Sequence, residues 1–129
     1  MTAMTADMED AVLDHFLGTA SFTMPAQCYL ALYTTTPAGP DGTGGVEVTG
    51  GAYARQAVDF NVAVAGTAAN AAQLDFPTAT AGWGTVNGFG IFNSLAGIML
   101  IYGAWDSPKT ININDIFRLP AGNLAISAD

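Results

Sequence analysis

The chain has 129 residues, a formal net charge of −8 and a sequence pI near 4.1. Only 11% of its residues are charged, against about 25% in an average soluble domain, while 50% are hydrophobic. This composition excludes a disordered chain. The three basic residues, Arg55, Lys109 and Arg118, are scattered, which excludes direct nucleic-acid binding and attachment to an anionic membrane surface.

The length fits one domain spanning 1–129, large enough to bury a core without disulfides or metals. A surface with so few charges is suited to interfaces. The N-terminus, MTAMTADMEDAVLDHF, carries acids where a secretory signal needs basic residues followed by an apolar run. The longest apolar run, GIMLIYGAW, is too short to span a bilayer. Synthesis in a cytoplasm is expected.

In chain order, Asp7–Leu17 within an N-terminal segment 1–18 predicts one short helix. Met8, Val12, Leu13, Phe16 and Leu17 recur at helical spacing, acids fill the first turn and Gly18 stands where a helix ends. From Gln27 the period becomes two. In QCYLALYTT, Cys28, Leu30 and Leu32 face one way and Tyr29, Ala31 and Tyr33 the other, so a strand covered on both faces is predicted. PAGPDGTGG, residues 37–45, reads as an exposed loop.

Tyr53–Val64 reads as a long strand, with Gly50 and Gly51 as the turn or bulge that starts it. NAAQLDFP gives a short strand ended by Pro77, and TATAGWG a turn-rich bridge. TVNGFGIFN and GIMLIYGAW form a hairpin across NSLAG. DSPK breaks the chain, TININ is a half-buried strand, and LAISAD closes after a Pro-Ala-Gly turn. About eight strands at this spacing predict a mainly β fold, an antiparallel β-sandwich or jelly-roll-like domain with one N-terminal helix.

The chemical inventory is poor. Cys28 reads as a buried small hydrophobe and His15 as a surface residue of the helix. One Cys and one His make no zinc site. PDGTGGVE offers only Asp41 and Glu47, at most a weak loop site for a cation. The glycines of GWGTVNGFG do not open a helix, as a dinucleotide loop would. They read as strand glycines that relieve crowding beside Trp83, Phe89 and Phe92. The expectation is no catalytic residue, no cofactor and no metal. Trp83, Trp105, Tyr53 and Tyr102 read as core or interface aromatics, with a sugar-stacking platform on Trp83 or Trp105 as the alternative. Arg55, a scarce cation inside GGAYARQAVDF, reads as a structural pin whose fixed fork ties its strand to a carboxylate or loop carbonyls elsewhere.

The ordered set CYLALYTTTPAG, GGVEVTGGAYARQAVDF, LDFPTATAGWGTVNGFGIFN, GAWDSPKTININD and PAGNLAISAD resembles a family of small virion proteins of tailed bacteriophages. The GGAYARQAV and FPTATAGWGTV segments are its most specific parts. Members are labelled tail fibre protein, and similar small proteins serve as capsid decoration or cement subunits. The resemblance implies a non-enzymatic structural role, with partners among the virion proteins and homo-oligomers. The compact, fibre-repeat-free chain favours a decoration protein on the capsid exterior, bound to the major capsid protein. A tail fibre or tail-tip protein is the alternative, and a carbohydrate-binding module the second. Arg55, Tyr53, Gly50, Gly51, Trp83 and Trp105 are the structural or assembly candidates.

Overall fold

The computed structural model describes residues 2–127. Its elements are β1 (Thr2–Met4), α1 (Ala6–Phe16), β2 (Cys28–Thr35), β3 (Val46–Glu47), β4 (Gln56–Val58), β5 (Thr67–Ala69), β6 (Leu74–Asp75), β7 (Gly84–Phe92), β8 (Met99–Ile111), β9 (Arg118–Leu119) and β10 (Ala125–Ser127). The class expected from the sequence is present: mainly β, antiparallel, with one N-terminal helix.

The main sheet has six strands in the order β1-β8-β7-β2-β3, with β4 also paired to β2. Two small two-stranded sheets, β10-β5 and β6-β9, complete the pairing. The sheets do not close into a barrel. Strand β2 is apolar on both faces, and both are used. Leu30 and Leu32 enter the larger core with Val86, Phe89, Ile91 and Ile111 of the main sheet. Phe76, Ala79, Trp83, Phe117, Leu119 and Leu124 cover them from the segments that carry the small sheets. On the opposite face Ala31 and Tyr33 pack with Phe92 and Met99 in a smaller cluster. Gly90 makes that cluster possible. A Cβ there would lie 2.7 Å from the Met99 methyl and 3.1 Å from the Tyr33 ring.

Helix α1 starts at Thr5, whose hydroxyl accepts from the Met8 N–H (3.4 Å) and donates to the Met99 carbonyl (2.9 Å). One buried side chain therefore caps the helix and ties its base to β8. No residue of the helix is buried. It projects as an arm.

Several predicted elements differ. DSPK does not end a strand, because β8 runs through it. Between the pairs Val86↔Lys109 and Gly88↔Ala104, β7 supplies Asn87 alone while β8 supplies Trp105 to Pro108. The extra residues bulge, and Pro108 sits where no ladder hydrogen bond is required. TININ is a strand only to Ile111. Asn114 has φ 72°, and the Asp115 carboxylate accepts from the Asn112 N–H at 2.9 Å, so the alternation belongs to a turn and Ile113 is exposed. The Tyr53–Val64 strand shrinks to Gln56–Val58, with isolated bridges at Phe60 and Val64. β3 has already taken the farther part of the same β2 edge. Short pieces raise the count to ten strands among the described residues. The closing strand is found at Ala125–Ser127, preceded by the buried Leu124, and Ala128 and Asp129 lie outside the described residues.

Candidate functional site

The residues nominated from GGAYARQAVDF lie at the gap between β3 and β4. β3 pairs with β2 at Tyr33 and Thr35, and β4 pairs with β2 at Cys28 to Leu30. Leu32, between them, would have an unpaired N–H on this edge. The Tyr53 hydroxyl accepts from it at 3.0 Å and donates to Glu47 Oε2 at 2.7 Å. Arg55 completes the set. Its Nε donates to Glu47 Oε2 and its Nη2 to Glu47 Oε1, each at 2.9 Å, the bidentate fork that only arginine supplies. Nη1 donates to the Leu95 carbonyl at 3.0 Å, and the guanidinium lies 3.7 Å from the centre of the Phe92 ring. One cation thus joins β3, the β7–β8 loop and the aromatic end of β7.

Burial works against the Glu47 carboxylate, but hydrogen bonds from Arg55 and Tyr53 outweigh it and hold its pKa below the ordinary value. The Arg55 pKa is raised, first by those same bonds to Glu47. The Tyr53 phenol is pushed up by burial and by Glu47, and the Tyr33 phenol is raised to about 12 for the same two reasons in the same order. All of these shifts favour a fixed ion pair and neutral phenols, which is how a clamp behaves. A general base needs a pKa near the working pH instead.

Gly50 and Gly51 form the turn that leads into Tyr53, with φ of 73° and 58°. The Tyr53 N–H closes it on the Gly50 carbonyl at 2.9 Å. The Gly51 carbonyl accepts from the Trp83 indole at 2.9 Å and from the Thr80 N–H at 3.0 Å. Trp83 is 5% exposed, so its face cannot serve as a sugar platform. From Tyr53 a row of aromatic contacts runs through Trp83, Phe76, Phe117 and Trp105 to Phe89, with ring centres 4.7–6.4 Å apart. Trp105 is therefore at the far end from Arg55. It lines a groove of about 540 Å3 with Lys109, Arg118 and Asn123 among others, but its indole nitrogen is itself buried and without a partner.

The other candidate chemistries do not assemble. Glu47 is consumed by Arg55 and Tyr53, which removes it from a cation loop with Asp41. Among the described residues no group of three or more His, Cys, Asp or Glu is placed to hold a metal ion. Cys28 is half-buried, with its thiol pKa raised by burial and then by Asp59, the reverse of an activated nucleophile. His15 is exposed on the arm, its Nδ1 accepting from the Phe22 N–H at 3.2 Å. No helix among the described residues is long and apolar enough to cross a membrane.

Some structural residues escaped the sequence. Asn70 is 1% exposed. Its amide donates to the Ala72 and Pro120 carbonyls, and its Oδ1 accepts from the Leu124 N–H. Nothing in NAAQLDFP distinguishes it from a turn asparagine. Thr5 was legible in principle, as a threonine just before an apolar-periodic run with acids in its first turn.

No curated protein matches the chain. The family model described as Podophage GP4 fiber I protein gp80 matches residues 3–127. That match overturns the capsid-decoration and cement reading, since it names a fibre component, and the major capsid protein loses its support as partner. Compactness misled the sequence reading, because a short chain without repeats suits a fibre subunit as well as a head protein. The family is one of structural fibre proteins and implies no catalytic role. Nearly the whole chain is covered, and it belongs to the podophage GP4 fiber I protein gp80 family, a family of phage tail fibre proteins.

Proposed function

We propose that this virion protein is a structural subunit of the tail fibre, acting through contacts with other tail proteins in tail assembly or host attachment. The observation that carries this reading is the family match over residues 3–127. The chemistry of the chain is in keeping with it. The Arg55 set is spent on internal ties, and exposed large apolar side chains lie both on the N-terminal arm and the segment after it, at Leu13, Phe16, Leu17 and Met24, and elsewhere, as at Val62 and Val64. Such a chain offers surface for assembly and nothing for turnover.

The test is fractionation. Heads and tails of the virion are separated and this protein is quantified in each. It is expected in the tail fraction in few copies and absent from tailless heads. Recovery on purified heads at a copy number near that of the major capsid protein would overturn the reading.

A further inference from the structure

Arg55 is consumed by Glu47. The two other cations of the chain, Lys109 and Arg118, line one groove of about 540 Å3 at the Trp105 end of the aromatic row. That size lies within the roughly 300–1,000 Å3 of pockets that take small ligands. The groove has an apolar wall that includes Trp105 and the buried Phe117, and the exposed Asn123 stands at its rim. One acid, Asp106, also lines it. Cations therefore outnumber acids two to one in the groove, in a chain where acids outnumber cations eleven to three.

These cations are exposed and are not spent. Among the described residues Lys109 makes no ion pair, and its Nζ lies 5.8 Å from the centre of the Phe117 ring. Arg118 holds Asp75 through Nε and Nη2, which leaves its Nη1 to donate to another acceptor. Ammonium and guanidinium donors beside an aromatic wall suit an anion carried on a ring with an apolar face. A sugar ring bearing a carboxylate is such a ligand. Its C–H face packs on aromatic carbons, its hydroxyls exchange hydrogen bonds with an amide, and its carboxylate takes charge-assisted bonds from the cations.

Other ligands use these groups less well. An acidic peptide added along β8 would need a row of main-chain donors, and β8 offers a bulge from Trp105 to Pro108 that includes a proline without an N–H. A nucleic acid needs more cations than this chain has. A neutral sugar leaves both cations without an acceptor. We propose that the groove between β8 and the 117–125 segment binds an acidic saccharide, with Lys109 and Arg118 on a sugar carboxylate, Trp105 and Phe117 against the ring and Asn123 on its hydroxyls. The proposal goes beyond the tail-fibre reading and does not rest on it. Saccharide binding is measured on the isolated chain and fibre location on separated heads and tails, so either can fail alone.

The experiment titrates the isotope-labelled full chain with trigalacturonate and follows the two tryptophan indole N–H signals by NMR. The Trp105 signal is expected to move, and the Trp83 signal, whose indole donates to the Gly51 carbonyl, to stay. The dissociation constant is expected at about 1 mM or below. It is expected to rise about tenfold in Lys109→Gln and in Arg118→Ala, each of which removes one charge-assisted contact at an exposed position. Native circular dichroism checks both variants. Neutral galactotriose is expected to bind about tenfold more weakly than trigalacturonate, and trigalacturonate to loosen as salt rises. A Trp105 signal unmoved at about 10 mM ligand overturns the proposal. So does equal binding of galactotriose, parent-like binding by either variant, or triglutamate that binds as tightly as trigalacturonate, which would make this a site for an acidic peptide.

Discussion

Arg55 and Arg118 both make a two-pronged contact with a carboxylate, yet they differ in what surrounds them. The Arg55–Glu47 side chains are 21% and 24% exposed, and the pair also engages Tyr53, Leu95 and Phe92. The Arg118–Asp75 side chains are 53% and 41% exposed and stand in solvent. Exposed pairs contribute little, whereas removing one partner of a buried pair strands the other. Arg55→Ala is therefore expected to destabilise the chain by about 2 kcal/mol, below the roughly 3–5 kcal/mol of a fully buried pair. Arg55→Lys keeps the charge but loses the fork, and falls between. Arg118→Ala is expected to melt with the parent. Denaturant titration of the three variants checks the order, and equal melting of Arg55→Ala and Arg118→Ala would defeat the pin.

Glu47 gives the same site a pH signature. Its folded pKa lies below the ordinary 4.5. The unfolded chain then binds the proton first, so the Glu47 contribution is complete above the unfolded pKa and is lost as pH falls through the lower folded one. Acid titration of stability is expected to show this loss below about pH 4.5 and to show less of it in Glu47→Gln. An unchanged acid profile in that variant would mean that Glu47 is not the linked group.

Arg55 stood out in the sequence by its isolation among acids and by the lack of any catalytic companion. Its partner was not legible. Glu47 sits in PDGTGGVE, eight residues earlier, and looked like a loop acid, because only the fold places β3 and β4 on one edge of β2.

At the scale of elements, what could be read were the apolar periodicities that stand on their own. The arm helix, the two-faced β2 and the β7–β8 hairpin each carry enough alternation to declare themselves. What misled was alternation without a partner strand. TININ alternates perfectly, yet Asn114 turns left-handed, its N–H goes to the Ala79 carbonyl at 2.7 Å, and residues 112–116 lie exposed. Local pattern does not encode which edge is vacant, and that decides whether a run becomes a strand. Turn chemistry was more legible, as Gly50 and Gly51 illustrate, and the two differ sharply in what they tolerate. A Cβ on Gly51 would meet the Ala81 carbonyl and the Trp83 indole nitrogen at 2.8 Å, while one on Gly50 meets nothing within 4 Å. Gly50→Ala is expected to cost about 1 kcal/mol, from the left-handed backbone alone. Gly51→Ala costs that and the displacement of Trp83 as well, about 2–3 kcal/mol in all. Thermal melts beside a near-ultraviolet tryptophan signal distinguish them, and equal melting would mean that the Trp83–Gly51 bond does not hold the turn.

The whole molecule is a six-stranded main sheet with two small sheets, a half-buried Arg55–Glu47 pair at its edge and an arm whose tip carries exposed apolar side chains. A surface with few charges was visible in the composition. Where in the virion that surface is used was not, since compactness and low charge suit a head protein and a fibre subunit alike. The family match over residues 3–127 supports the fibre reading proposed above. The measurement that meets this most directly is electron microscopy of intact virions labelled with gold through an antibody to this chain. Gold confined to the tail fibres, with bare heads, is the predicted result. Gold spread over the head lattice would contradict the account.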